Sequence, residues 1–235
     1  MKALLLAAGL GTRLRPITDS IPKCLVPVAG RPLLAWWMDL LAQHDVADVL
    51  INLHFLPEPV LRFAENHTGP VRIHTVMEPE LLGSAGTLHA NRGFFQDEEQ
   101  FLILYADNLT DVDLSHLVRF NTEHPAPLTV GLFHAENPSG SGIVELDAAG
   151  TIVGFVEKPA TPASDLASAG VFVGRPELFD AVVPDRIPYD FGGHVMPRLI
   201  GRMNGVMTRG YLRDVGTLES LARAEREWIA AHHSN

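Results

Sequence analysis

The sequence lacks the features that mark secreted and membrane proteins. Its 235 residues include one cysteine, Cys24, so no disulfide can form within the chain, which is usual in a reducing cytoplasm. There is no run of 18 apolar residues, and the N-terminus lacks the apolar segment and cleavage site of a signal peptide. We therefore expect a cytoplasmic protein with no membrane partner.

A net charge of −10 makes nucleic acid an unsuitable partner. Residues 1–35 nevertheless carry a local net charge of +4, because they contain five basic residues and a single acid, Asp19. A small basic region on an acidic protein suits a small polyanion held in a cleft. The alternative is that these basic side chains are only solvated surface.

Lysine is scarce, since the chain has three lysines against fifteen arginines. Two of the three adjoin a proline, as Pro22-Lys23 and Lys158-Pro159. A compact ammonium that reaches one phosphate oxygen is poorly replaced by the planar fork of arginine. We therefore expect Lys23 and Lys158 each to contact a phosphate.

Strand and helix patterns alternate along the first half of the chain, which predicts an α/β fold with ligands at the carboxyl ends of its strands. The predicted strands of this half are 2–7, 48–53, 71–76 and 101–105. The predicted helices are 32–45, 57–67 and 83–93. After about residue 127 the pattern predicts hairpins or a mixed extension of the sheet, with strands at 128–134, 142–146, 152–157 and 169–173 and helices near 190–201 and 217–231.

The first predicted helix carries an apolar face at helical spacing, made of Leu33, Leu34, Trp37, Leu40 and Leu41. Such a face packs against a sheet. We therefore expect Trp37 and the adjacent tryptophan at position 36 to be packing residues and not a platform for a nucleobase.

A glycine-rich turn follows the first predicted strand, and residues 7–23 read AAGLGTRLRPITDSIPK. Gly9 and Gly11 allow backbone N–H groups to approach a phosphate chain closely. Leu14 stands where a dinucleotide fingerprint needs a third glycine, and no Gly-Lys-Ser/Thr follows, so neither common phosphate motif is present. Arg13 is placed to clamp phosphate oxygens. The turn predicts a nucleoside triphosphate site and disfavours a nicotinamide-dependent oxidoreductase.

Two aspartates follow strand-like stretches, Asp107 after Phe101-Leu-Ile-Leu-Tyr-Ala and Asp214 after Tyr211-Leu-Arg. Alone, Asp107 reads equally well as a turn or helix N-cap residue. Two carboxylates beside a phosphate-binding turn favour a Mg²⁺ site, because Mg²⁺ prefers hard oxygen ligands shared with substrate phosphates.

Together these segments resemble the sugar-1-phosphate nucleotidylyltransferase family, in that family's order and from residue 2 to about 225. The segments are AAGLGTRLRP, PK, LGSAG, YADN, FVEKP, SAGVFV and YLRDVGT. The resemblance implies a single Rossmann-like, glycosyltransferase-A-like domain over 1–235, a mixed central sheet flanked by helices. Its nucleotide-binding part would span about 1–125 and its sugar-binding part about 126–235. It further implies transfer of a nucleotidyl group from an NTP to a sugar 1-phosphate with Mg²⁺, for cell-surface glycan or glycoside biosynthesis, by a monomer or small homo-oligomer.

The resemblance also implies roles for individual residues. Arg13 would hold the departing pyrophosphate, Lys23 the α-phosphate, and Asp107 and Asp214 the Mg²⁺; Arg13, Lys23 and Asp107 would be the catalytic residues. Other residues would bind the nucleotide, namely Ala7, Ala8, Gly9, Gly11, Thr12, Glu78, Gly83 and Ser84. On the sugar side, Glu157 would bind hydroxyls and Lys158 the sugar phosphate, with contributions from Asn108, Gly142 and Gly170.

The base and the sugar are less narrowly implied. Glu78 and residues 82–86 resemble the segment of guanylyltransferases that act on mannose or manno-heptose 1-phosphate, which favours GTP. One alternative is a uridylyltransferase acting on N-acetylmuramate 1-phosphate or a similar sugar. Another is a noncatalytic, NDP-sugar-binding regulatory subunit, although such relatives typically lose the clamp and metal residues that stand here.

Overall fold

The chain has a mixed α/β fold, in which helices flank a central mixed sheet; the computed structural model describes residues 1–232. The strands are β1 (Lys2–Leu6), β2 (Pro27–Val28), β3 (Arg31–Pro32), β4 (Asp48–Leu53), β5 (Arg72–Met77), β6 (Phe101–Tyr105), β7 (Asn108–Thr110), β8 (Leu128–His134), β9 (Gly142–Leu146), β10 (Ile152–Glu157), β11 (Leu166–Gly174), β12 (Met203–Met207) and β13 (Leu212–Asp214). The α-helices are α1 (Leu33–Gln43), α2 (Pro57–Glu65), α3 (Ser84–Ala90), α4 (Leu114–Glu123) and α5 (Leu218–His232). No helix within these described residues is long and apolar enough to cross a membrane.

The chain divides into two compact units. Unit 1 consists of Met1–Leu4, Leu81–Leu104 and Asp113–Arg209. Unit 2 consists of Leu5–Glu80, Tyr105–Val112 and the described residues from Gly210 to His232. The predicted division of one domain into a nucleotide-binding and a sugar-binding part stays a prediction.

Unit 2 has the strand order β1-β4-β5, and β4 and β5 are parallel with Asp48 opposite Arg72. All six residues of β4 are buried, so this strand lies at the centre of the unit's core. The predicted apolar face of α1 is buried throughout, and Trp37 is 1% exposed. Trp36 donates its indole N–H to the carbonyl of Val28 at 3.1 Å and packs edge-on against Trp228. Both tryptophans are therefore packing residues, as predicted.

Unit 1 has the strand order β10-β9-β11-β6, with β8 pairing with β11 and β12. The pairs β10-β9, β11-β6 and β11-β8 are antiparallel, whereas β12-β8 is parallel. The predicted mixed extension is confirmed, and strands 128–134, 142–146 and 152–157 begin and end where the sequence predicts. Parallel pairing of β12, at 203–207, was not predicted.

One predicted helix is wrong in type, and one helix was missed. Residues 190–201 form a π-helical turn, Phe191–Val195, followed by a 3₁₀ turn, Met196–Leu199. Proline at position 197 has no N–H for an α-helical hydrogen bond, and two glycines precede it. The missed helix is α4, which Asp113 caps by accepting a hydrogen bond from the His116 N–H at 2.9 Å.

Candidate active site

The glycine-rich turn in unit 2 leaves β1 and is held from both ends. Gly11 adopts a left-handed conformation, with φ of 63°, and a Cβ there would lie 2.9 Å from the Thr18 side chain. The Thr18 hydroxyl donates to the Gly11 carbonyl at 2.7 Å. Gly9 has no positive φ, and nothing lies within 4 Å of the position of a Cβ. The backbone conformation and the contact with Thr18 therefore require glycine at position 11, whereas the space around Gly9 would accommodate a side chain.

The start of this turn is fixed by Asn52, a residue to which the sequence pattern assigned no role. Its side-chain oxygen accepts a hydrogen bond from the Ala7 N–H at 2.7 Å, and its amide donates to Glu78 at 3.0 Å. Asn52 and Glu78 are 4% and 2% exposed. The predicted nucleotide residues Ala7 and Glu78 therefore meet through a buried amide. Ala8 is buried, and the side chains of Thr12 and Arg13 are exposed.

The central feature of unit 2 is the convergence of two carboxylates on one ammonium. Lys23 Nζ lies 2.6 Å from Asp107 Oδ2 and 3.4 Å from Asp214 Oδ1, and the Lys23 side chain is only 10% exposed. A buried ammonium is stable where anions replace its lost hydration. The structure thus brings together three predicted residues that stand 84 and 191 positions apart.

Backbone pairing explains why the two aspartates meet. Strand β13 runs antiparallel to β7, so Asp214 lies opposite Asn108, the residue after Asp107. The Val215 N–H also donates to the Asp107 carbonyl at 2.8 Å. Asn108 is buried, at 7% exposure. Partial desolvation, and then the negative charge of Asp107, raise the pKa of the Asp214 carboxyl above its ordinary value.

Gly216 completes this cluster and was not assigned a role from the sequence. A Cβ at this position would lie 2.7 Å from Asp214 Oδ2 and 3.0 Å from Arg13 Nη2. Arg13, Asp214 and Gly216 are therefore neighbours. The absence of a side chain at 216 leaves room for the guanidinium and the carboxylate to approach each other.

Both carboxylates are suitable ligands for Mg²⁺. They offer hard oxygen atoms, and since one ammonium contacts both, a single cation can reach both as well. Within residues 1–232 there is no group of three or more His, Cys, Asp or Glu side chains arranged to hold a metal ion. A metal here would therefore need further oxygen ligands from a substrate or from water.

Four of the sugar-side residues that the sequence predicts, Gly142, Glu157, Lys158 and Gly170, lie in unit 1, whereas Asn108 lies in unit 2. Glu157 ends β10, and Lys158 has a positive φ of 47° with its N–H donating to Ser141 at 3.0 Å. The Lys158 ammonium lies 3.6 Å from Glu157. A Cβ on Gly142 would lie 2.9 Å from Glu157 Oε2, so this glycine leaves room for the carboxylate. Gly170, on β11, is buried with φ of 69°.

The LGSAG turn of unit 1 is docked on residues 189–190. Gly83 has φ of 81°, and a Cβ there would lie 2.6 Å from the Tyr189 nitrogen, so only glycine fits. Asp190 accepts hydrogen bonds from the Ser84 N–H at 2.9 Å and the Ser84 hydroxyl at 3.1 Å. Asp190 was not predicted as a site residue, because its partner Ser84 is 106 residues away. Ser84 thus holds its own turn in place.

Comparison with known proteins matches the chain to one family. The family model described as Nucleotidyl transferase matches residues 2–230. A UTP–glucose-1-phosphate uridylyltransferase of Synechocystis sp. is 34% identical over 85% of this chain and 55% of its own length. Mannose-1-phosphate guanyltransferase beta-A of Xenopus laevis is 29% identical over 98% of this chain and 68% of its own length. Five of the curated relatives are matched over only 55% to 63% of their length.

A solved structure gives the same fold at low sequence identity. HddC from Yersinia pseudotuberculosis, complexed with GMP-PN, superposes with a TM-score of 0.81 over 97% of this chain and 99% of its own. The two sequences are 19% identical, so this likeness concerns the fold alone.

Proposed function

Because the chain belongs to the nucleotidyl transferase family, we propose that it transfers a nucleotidyl group from a nucleoside triphosphate to a sugar 1-phosphate. The products are an NDP-sugar and pyrophosphate. The observation that carries the proposal is the convergence of Asp107 and Asp214 on the buried ammonium of Lys23. Such a cluster can bind phosphate and a divalent cation together.

The chemistry needs charge neutralisation and alignment more than a covalent nucleophile. A phosphate oxygen of the sugar 1-phosphate forms the new bond to the α-phosphorus, and the bond from that phosphorus to pyrophosphate breaks. The attacking oxygen is already anionic, so no general base is required. Lys23 would neutralise charge at the α-phosphate, and Arg13 would hold the departing pyrophosphate.

Asp107 and Asp214 are the residues that would hold Mg²⁺. When bound, the ion would neutralise part of the negative charge of the substrate phosphates. Lys23 contacts both carboxylates and therefore has to share them with the ion or turn towards the phosphate.

On the sugar side, Lys158 would bind the sugar phosphate and Glu157 would accept hydrogen bonds from sugar hydroxyls. The proximity of the two side chains, 3.6 Å, supports a shared ligand. Gly142 would keep the space beside Glu157 open, and Gly170 would line the same region. Because the carboxylate and the ammonium lie side by side, one sugar 1-phosphate could bind both, with its hydroxyls at Glu157 and its phosphate at Lys158.

GTP is the favoured nucleotide. Support comes from Glu78 and the LGSAG turn and from relatives named as mannose-1-phosphate guanyltransferases. The alternative is a uridylyltransferase, acting on N-acetylmuramate 1-phosphate or another sugar. The Synechocystis relative, named for UTP and glucose 1-phosphate, supports UTP.

Retention of Arg13, Lys23, Asp107 and Asp214 argues against a noncatalytic regulatory subunit. The protein would act in the cytoplasm as a monomer or small homo-oligomer.

A matrix of four NTPs against several sugar 1-phosphates, with pyrophosphate release as the readout, tests this proposal. Release should require the NTP, the sugar 1-phosphate and Mg²⁺ together, and should be fastest with GTP and a manno-configured sugar. Fastest release with UTP would select the uridylyl alternative. Release that is independent of the sugar 1-phosphate would contradict the proposed reaction.

Gly216→Ala is expected to lower the rate of synthesis roughly tenfold or more while leaving the melting temperature nearly unchanged. The added methyl group would displace the ends of two flexible side chains, Arg13 and Asp214, and not the backbone. Misplacement of catalytic groups by about 1 Å is sufficient for such losses. The matched control is Gly93→Ala, because nothing lies within 4 Å of a Cβ at that position. Equal rates for the two variants would contradict the expectation.

A further inference from the structure

Helix α5 in unit 2 carries a carboxylate that binds three donor side chains. Glu227 Oε2 accepts hydrogen bonds from Tyr211 Oη at 2.9 Å and from Arg213 Nε at 2.8 Å. Its other oxygen accepts from Arg223 Nε at 2.7 Å. Tyr211 precedes β13, and Arg213 lies within it. Glu227 of α5 is therefore hydrogen-bonded to two alternate residues, Tyr211 and Arg213, of the segment that ends at Asp214.

Side chains point alternately to the two faces of a strand, and this relates the hydrogen bonds of Glu227 to the position of Asp214 beside Lys23. Side chains at 211 and 213 point to one face of the strand, and the side chain at 214 points to the other. By fixing the first face against α5, Glu227 fixes the direction in which Asp214 points. On that side, Asp214 lies 3.4 Å from Lys23 Nζ.

Further contacts hold the same strand at both ends. The Tyr211 carbonyl accepts a hydrogen bond from the Thr110 hydroxyl at 2.7 Å. At the other end, the Ser220 hydroxyl of α5 donates to the Asp214 carbonyl. Trp228 packs between Tyr211 and Trp36, with ring centroids 5.5 and 5.2 Å away. These contacts hold the backbone at residues 211 and 214, and Glu227 holds the side chains of Tyr211 and Arg213, so both act on the same short segment.

The charge of Glu227 is maintained by its partners. Partial burial acts to raise its pKa, but hydrogen bonds from Arg223, Tyr211 and Arg213 prevail and lower it to about 2. Burial and the hydrogen bond to Glu227 also raise the pKa of Tyr211 to about 12, so its hydroxyl remains a donor. Removing the carboxylate would abolish the 2.8 Å ion pair between Glu227 and Arg213.

We propose that Glu227 is a positioning residue for the transfer reaction: it holds the side-chain face of β13 so that Asp214 stays beside Asp107 and Lys23, ready to bind a divalent cation. This inference rests on the proposed function, and Glu227 would act through Tyr211 and Arg213, to which it is hydrogen-bonded.

Glu227→Gln tests the inference by two measurements, one of which needs no turnover. Titration with Mn²⁺ in the presence of a nonhydrolysable NTP, followed by electron paramagnetic resonance, should show roughly tenfold weaker metal binding, the range typical when a partner of a metal-binding residue is lost. The Mg²⁺ concentration for half-maximal rate should rise by a similar factor. Tyr211→Phe removes one of the hydrogen bonds and should give a smaller shift in the same direction, even if Glu227→Gln fails to fold.

Two comparisons separate positioning from general stability. Glu225→Gln changes an exposed residue of the same helix and should leave metal binding unchanged. In the Asp214→Asn background, Glu227→Gln should have little further effect on metal binding, because residues that act through one group are not additive. Full additivity, or unchanged Mn²⁺ binding in a folded Glu227→Gln, would overturn the inference. Absence of NDP-sugar synthesis by the wild type would instead refute the proposed function, since the Mn²⁺ titration does not depend on it.

Discussion

Asp107→Asn is expected to lower the rate of NDP-sugar synthesis by roughly 10²-fold or more, equivalent to about 3 kcal/mol of lost transition-state stabilisation. Asparagine keeps the size of the side chain and one oxygen atom but removes the charge. The change would remove both a Mg²⁺ ligand and the closest partner of the Lys23 ammonium, which lies 2.6 Å from Asp107. Initial rates of pyrophosphate release at saturating substrates measure the effect.

The matched control is Asp97→Asn, which removes one negative charge from an exposed site. It should leave the rate within about twofold of the wild type, since isolated surface charges contribute little. Circular dichroism of both variants establishes that they are folded. A near-normal rate for Asp107→Asn would show that this carboxylate is structural and that the predicted Mg²⁺ site is wrong.

The sequence predicted site residues best where each residue directly follows a recognisable strand. Asp107 and Asp214 each follow a strand-like stretch, and the structure brings both to Lys23, although their roles stay predictions. The strand patterns in unit 1 were strong because Pro, Ser and Gly clusters separate them. The helix predicted over 190–201 was wrong because helical spacing of apolar residues does not reveal the effect of Pro197.

Residues that act by supporting others were missed because their partners are distant in sequence. Asn52 stands in a strand whose six residues are all buried, and a polar residue there signals that it must have a buried partner. The pattern could not say that the partners are Ala7 and Glu78, which are 45 and 26 positions away. Asp190 and Glu227 are similar cases. Side-chain pairing of this kind depends on packing that local periodicity does not contain.

Lys23→Met is expected to lower the rate as strongly as Asp107→Asn, roughly 10²- to 10³-fold, because it removes a preorganised positive charge from the α-phosphate. The two substitutions should, however, change metal binding in opposite directions. Lys23 Nζ contacts both Asp107 and Asp214 and therefore competes with a divalent cation for the same two carboxylates. Without nucleotide, Mn²⁺ should bind several-fold more tightly to Lys23→Met than to the wild type, and more weakly to Asp107→Asn.

The direction in which the Mn²⁺ affinity of Lys23→Met changes distinguishes two explanations for its low rate. If Lys23 served only to hold the two aspartates in place, its loss would let them repel each other and metal binding would weaken, as it would in Asp107→Asn. If Lys23 competes with the cation for the two carboxylates and acts on the phosphate during transfer, metal binding would strengthen while turnover falls. Arg226→Met, which removes a positive charge from the exposed face of α5, is the control and should change neither quantity. Weaker Mn²⁺ binding by Lys23→Met would therefore contradict this competition and assign the lysine to the support of the carboxylates.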